Sequence, residues 1–242
     1  MVGDHVPPGQ GNGEDERAVP TGVHLTDARG LLFDAAERVL ARNGASGLTS
    51  RAVTAEAGVA KGVMHRHFAD FDAFLAELVL DRAAQLAAPA AALHAAAGSG
   101  SVVGNLTEAL GAVFTPLAVA MVALVITRDG LRGRLRDVGA PRFPLVAQGS
   151  AMITSYLAAE QALGRVAATA DVASLSHTLV GSLHLLYSDQ ESGPPDAPAL
   201  RKLVAAVIEG GGVAAAPRRA ADPTEATTGV RETRPALMGG EA

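Results

Sequence analysis

The sequence predicts an all-α protein, and three observations carry that expectation. Apolar residues recur at helical spacing through most of residues 27–209. No apolar/polar alternation bounded by turn signals persists anywhere, so no sheet is expected. Capping residues and glycines fall where such helices must begin and end.

The first helix is expected over Asp27–Asn43, with Leu31, Leu32, Ala35, Ala36, Val39 and Leu40 on one stripe and Gly44 as a left-handed C-terminal cap. Thr49 is placed to N-cap a second helix that runs through Ala57. Gly58 and Val59 make a tight turn into a third helix, Ala60–His67. Asp70 is placed to N-cap a fourth helix that continues past Leu86. Val53, Ala57, Val59, Met64 and Phe68 would clamp the short pair onto the first helix. Two short helices joined by a glycine turn have helix-turn-helix geometry, in which the second is free to enter a major groove.

Further along, Pro89 predicts a kink and Gly98-Ser99-Gly100 a loop. Helices follow over Val102–Phe114, Leu117–Arg136, Leu145–Leu163, Asp171–Ser188 and Pro198–Glu209. Residues 1–24 and 211–242 are rich in proline, glycine and small polar residues, and are expected to be a disordered arm and tail. Between them, 25–72 forms the helix-turn-helix domain and 73–210 a second helical domain.

Composition excludes some classes of chemistry. The absence of cysteine removes disulfides, zinc fingers, iron–sulfur clusters and thiol nucleophiles. His177 and His184 stand two turns apart on one helix, too far to share an ion, and His94 has no ligand-spaced partner, so neither metal nor cofactor is expected. No nucleophile elbow, phosphate-cradling lysine loop, dinucleotide glycine motif or zinc-protease motif occurs, and no enzyme is expected. The longest apolar run, Pro116–Thr127, is shorter than the ~20 residues that a spanning helix needs. With a polar, acidic N-terminus, this predicts a cytoplasmic protein without a membrane partner. The net charge is −5, yet residues 45–68 carry Arg51, Lys61 and Arg66 against Glu56 alone. A locally positive module on an acidic body suits attraction to a phosphate backbone.

Residues 29 to 80 resemble the DNA-binding domain of the TetR (tetracycline-repressor) family of transcription regulators. The matching segments are Leu32-Phe33-Asp34-Ala35-Ala36, Gly44, Leu48-Thr49, Ala57-Gly58-Val59, Lys61-Gly62 and His67-Phe68 before an N-cap, in the family's order and spacing. The resemblance implies a homodimer that binds a double-stranded DNA operator, usually as a repressor relieved by a small-molecule effector. The second domain would then bind effector and dimerise. Thr49, Ser50, Arg51, Lys61, Gly62, Val63, His65 and Arg66 are the candidate DNA-binding residues. Departures bear on affinity rather than fold. Ala60 stands where a small polar residue is usual, Val63 where Thr is frequent, His65 where Tyr is usual, Phe71 where Lys is usual, and Thr54 where Ala is usual. His65 can still donate to a phosphate.

In the second domain, Val172, Leu175, Leu179, Leu183 and Leu186 form a core stripe on the penultimate helix. Ser174, His177, Gly181, His184 and Ser188 form a second, small-residue face that lets a partner helix approach closely. With Leu200, Leu203 and Val207 of the last helix, Ser174, His177, Gly181 and His184 are the candidate dimer interface. Phe114, Met121, Phe143, Met152, Tyr156 and Tyr187 are the candidate ligand pocket, in an alanine-rich background that leaves room for a cavity. Few aromatics and no evident cationic cluster predict a largely apolar effector. The rival reading is an all-α ligand- or partner-binding protein whose helix-turn-helix no longer binds DNA.

Overall fold

The computed structural model describes residues 28–188 and 193–210; the N-terminal arm and the C-terminal tail lie outside the described residues. Eleven helices, and no strand, occur among the described residues. They are α1 (Ala28–Gly47), α2 (Ser50–Glu56), α3 (Gly62–His67), α4 (Phe71–Ala84), α5 (Ala87–Ala95) and α6 (Val102–Val113), then α7 (Pro116–Thr127), α8 (Asp129–Asp137), α9 (Pro144–Ala162), α10 (Val172–Ser188) and α11 (Ala197–Gly210). No single described helix is long and apolar enough to cross a membrane.

The helix ends follow local chemistry. The regular part of α1 stops at Gly44, whose φ of 66° only glycine adopts without strain. Thr49 caps α2 by accepting from the Ala52 N–H at 3.1 Å. At the other end of α2, Gly58 N–H donates to the Ala55 carbonyl at 3.2 Å and Val59 N–H to the Thr54 carbonyl at 3.1 Å. This paired closure requires the left-handed Gly58, at φ 67°. Asp70 caps α4 through the Ala73 N–H at 2.7 Å.

Two helices expected to be continuous are broken. The fourth ends at Ala84 and a new helix begins at Ala87. Pro89 has no N–H to donate to residue 85, and its ring would crowd that carbonyl. The helix expected over Leu117–Arg136 divides at Arg128, which is extended at φ −122°, ψ 101°. Arg132 reaches back to the Val125 carbonyl at 2.9 Å and to that of Ile126, satisfying the last turn of α7. Arg128 donates to Asp72 at 2.6 Å, and Arg134 pairs with Asp70. Both partners sit at the start of α4, so long-range contacts hold a break that helical periodicity cannot reveal.

The chain divides into two compact units. One holds the described residues to Asp81 together with Ala120–Phe143; the other holds Arg82–Val119 with the described residues from Pro144 on. The boundary expected at residues 72 and 73 falls inside α4, as does the division between the units at Asp81 and Arg82. In the first unit α1 packs on α2 and α3 around Leu32, Val39, Leu40, Val53 and Met64, with the rings of Phe33, Phe68 and Phe74 in mutual contact at 5.0–6.0 Å. In the second, α9 packs on α5 and α10, and α11 on α6 and α10, around an aliphatic core.

The buried stripe of α10 is rotated from the expected one. Ser176, Leu179, Val180, Leu183 and Tyr187 are buried, while Val172, Leu175 and Leu186 are only half-buried. Ser176 is the cause: its small side chain faces α9, and its hydroxyl donates to the Ser150 carbonyl at 2.8 Å.

Candidate nucleic-acid interface

The α2–α3 pair turns its cations outward. Thr49, Arg51, Lys61, Gly62, His65 and Arg66 are exposed, and Val63 is half-buried. Ser50 is placed differently from the rest: it is half-buried, and its hydroxyl lies 3.2 Å from the Met64 sulfur, tying α2 to α3. Thr49 spends one hydroxyl lone pair on the Ala52 cap and keeps its O–H free to donate. Thr54 is buried, and its hydroxyl returns to the Ser50 carbonyl at 3.0 Å, so the unusual residue costs no unsatisfied group. The start of α3 lacks a capping side chain, consistent with Ala60 at that point.

The single acid of the pair is drawn away. Glu56 accepts from Arg38 Nε at 2.7 Å and from Arg42, both on α1. Hydrogen bonds from Arg42 first, then Arg38, hold its carboxyl down at about 2. Arg51, Lys61 and Arg66 therefore face solvent without a carboxylate among them, the electrostatic arrangement that phosphate contact requires.

Phe71 stands where a lysine is usual, and the structure supplies a cation there from elsewhere. The Arg128 guanidinium lies 4.9 Å from the centre of the Phe71 ring while bonded to Asp72. Thr49, Ser50, Phe71, Thr127 and Arg128 border a cleft of about 630 Å³ in this unit. The sequence reading missed Arg128, because its proximity to α4 depends on the break between α7 and α8.

These features coincide with what comparison finds. Residues 32–78 match the family model of the bacterial regulatory proteins of the tetR family. That segment is a DNA-binding domain of the TetR type, with α2 and α3 as its helix-turn-helix, and the chain is a DNA-binding transcription regulator. Solved TetR-like structures share the fold over most of their length. A TetR-family member from Streptomyces coelicolor A3 is 23% identical, with 74% of this chain and 97% of that one covered at a TM-score of 0.54. The multidrug binding protein EbrR, complexed with imidazole, is 23% identical over 74% of this chain and 94% of its own, with a TM-score of 0.52. FadR from Bacillus subtilis, in complex with stearoyl-CoA, is 17% identical over 75% and 98%, with a TM-score of 0.58. No curated protein matches the chain.

The candidate pocket residues are divided between the two units. Met121 and Phe143 belong to the first unit, and Met121 is buried there. Phe114, Met152, Tyr156 and Tyr187 belong to the second, where the Phe114 and Tyr187 rings lie 6.3 Å apart. Tyr156 is fully buried, and its oxygen accepts from Asn105 Nδ2 at 3.0 Å. Burial and a hydrogen bond to Glu160 push its phenol pKa upward. It is thus part of a buried polar chain rather than a free lining group. A groove of about 340 Å³ does open between α5 and α6, bordered by Ala92, Leu93, Asn105, Glu108 and Ala109, and contains none of the six.

Of the candidate interface residues, Ser174, His177 and Gly181 are exposed, and His184, Leu203 and Val207 are half-buried. Leu200 is different: it is buried in its own unit's core, and a Cβ added at Gly111 on α6 would stand 3.2 Å from its side chain. Its position in the α11 stripe puts it towards α6, so it offers nothing to a partner. Leu185, by contrast, is 75% exposed on the outward face of α10. A stripe-based reading passed it over because it looked for small residues only.

Proposed function

We propose that this regulator acts in the cytoplasm as a homodimeric repressor, released from its operator by a small molecule, and that it has no enzymatic activity. The outward cations of α2 and α3, with Glu56 turned to α1, carry the DNA-binding part of the reading. One such module presents a six-residue recognition helix, too little for tight specific binding. Two modules about 34–36 Å apart would occupy successive major grooves and read a near-palindrome. The outward face of α10 supports dimerisation: Ser174, His177 and Gly181 leave room for a close helix, and Leu185 supplies apolar area. The ligands held by EbrR and by FadR support effector sensing in this fold, and the α5–α6 groove is the place offered here.

The DNA-binding part is tested by fluorescence anisotropy with a selected operator over a salt series. Lys61→Ala should weaken binding and lower the salt slope by about 1. Unchanged affinity and slope would remove Lys61, and with it the proposed orientation of α3, from the interface. The dimer is tested at Gly181. A Cβ added there meets nothing within 4 Å in the protomer, so Gly181→Leu leaves each chain intact. Sedimentation should then show a shift to monomer together with a loss of operator affinity. A full dimer at micromolar concentration that binds operator normally would place the interface elsewhere.

A further inference from the structure

Charge is most concentrated outside the helix-turn-helix. Residues 128–142 hold five arginines against two aspartates, a surplus of three cations in a chain whose net charge is −5. This corrects the expectation that the chain has no cationic cluster. The fold sorts these arginines into two sets. Arg128 and Arg134 meet Asp72 and Asp70 of α4 and are neutralised. Arg132, Arg136 and Arg142 instead border one cavity of about 370 Å³, together with Ala140.

The arrangement is built by the end of the helix. Arg132 and Arg136 are four residues apart and share a face. Gly139, at φ 68°, reverses the chain, with Gly139 N–H donating to the Arg136 carbonyl at 2.9 Å and Ala140 N–H to the Leu135 carbonyl at 3.0 Å. That closure returns Arg142 to the side of Arg136. Arg132 spends part of its fork on Asp129 and on the end of α7. Among the described residues, no hydrogen bond or ion pair engages the Arg136 or Arg142 guanidinium; Arg142 only lies 5.3 Å from the centre of the Phe143 ring.

Cations in the last turn of a helix are favoured by its dipole, which accounts for Arg134 and Arg136. It does not account for Arg142, which lies beyond the helix, or for three cations around one concavity. Like charges so placed repel one another, and an anion between them relieves the repulsion. Guanidinium forks match the tetrahedral oxygens of phosphate two at a time, and three of them suit a multiply charged group better than a single carboxylate. The cavity exceeds the size of one phosphate, so it has room for part of an attached organic group.

We infer that the arginine-lined cavity at the end of α8 is a binding site for a small phosphate-bearing ligand, a phosphomonoester or a pyrophosphate group. A DNA backbone is the other source of phosphate. A concavity that takes the anion in fits a small ligand better than a duplex, which must lie against a surface. The inference stands independently of where the operator sits and of the effector proposed for the α5–α6 groove, since the two cavities share no lining residue.

Titration calorimetry of the full chain with inorganic pyrophosphate, at constant ionic strength, is the test. Saturable binding at one site per protomer is expected, weakened about tenfold or more in Arg136→Gln/Arg142→Gln. Both side chains are exposed, so matching melting curves should accompany that loss. Lys61→Ala should bind pyrophosphate like the parent while losing operator affinity, which separates this site from the DNA interface. The inference is overturned by absent saturation, by equal affinity in the double variant, or by loss of pyrophosphate binding in Lys61→Ala. It is also overturned if the double variant lowers the operator salt slope and the parent binds no pyrophosphate, since the arginines then serve the DNA backbone.

Discussion

The two compact units hold their helices together by different means. The first gathers aromatic rings: Phe33, Phe68 and Phe74 contact one another, and Phe71 stacks on Phe74 at 5.6 Å. Its arginines clamp distant segments, with Arg29 on Glu77, Arg38 and Arg42 on Glu56, Arg128 on Asp72 and Arg134 on Asp70. The second relies on aliphatic packing around a buried polar chain. Asn105 donates to Tyr156, Tyr156 bonds Glu160, and Glu160 lies 3.3 Å from Arg165 and takes the Gly98 N–H at 3.4 Å. The short helices α2 and α3 have little area of their own to bury, so large rings and surface ion pairs suit the unit that holds them. The longer helices of the second unit bury enough side chains to hold a charged group in their midst, provided that every partner is present.

This contrast can be broken at its most expensive point. Phe74 is fully buried and touches Phe33, Phe68 and Phe71. Phe74→Ala should destabilise the first unit by about 3–5 kcal/mol. Urea denaturation followed by circular dichroism should show an early transition, with operator binding lost below it. A midpoint equal to that of the parent would mean that the ring cluster is not what holds the helix-turn-helix together.

The corresponding change in the second unit removes one atom rather than a ring. Tyr156→Phe deletes the hydroxyl that joins Asn105 to Glu160 and leaves both with one partner fewer in a buried site. The expected loss is about 1–3 kcal/mol, because a stranded polar group costs more than a hydrogen bond gains. If the phenylalanine variant is as stable as the parent, the polar chain is incidental to the core and the contrast between the units fails.

The same contrast explains what could be read from the amino-acid string. The helix-turn-helix was legible because its signals are local. Thr49, Gly58 and Asp70 act within three or four residues of where they stand, and Val53, Met64 and Phe68 are buried as their spacing implies. The break at Arg128 was not legible, since it is held by Asp72 and Asp70 across 56 and 64 residues of chain. For the same reason no cationic cluster is evident in the string, because Arg142 joins Arg132 and Arg136 only through the fold. The candidate pocket rests on a less specific signal. Large side chains in an alanine-rich region are as useful for filling a core as for lining a cavity, and Tyr156 and Met152 do the former. Leu200 was assigned to the interface from its stripe alone, although one stripe of α11 already serves α6.

The smallest expected effect concerns the solvent-facing ion pairs by which the first unit joins distant segments. Glu56 is held at about 2 by Arg42 and Arg38, against an ordinary value of 4.5. A carboxyl lowered on folding stabilises the fold at pH values above its unfolded value, and that contribution is lost as pH falls through the folded one. Glu56→Gln should therefore melt below the parent at neutral pH, with the gap closing between about pH 4.5 and pH 2. Since the pair faces solvent, the gap should also shrink as salt is raised. Operator binding at neutral pH should fall little, because Arg51, Lys61 and Arg66 keep their exposure. A gap of constant size from pH 7 to pH 2 would show that glutamine perturbs packing between α1 and α2 rather than removing a charge. In that case the salt bridges of the first unit would be consequences of its fold, and the aromatic cluster alone would distinguish it from the second.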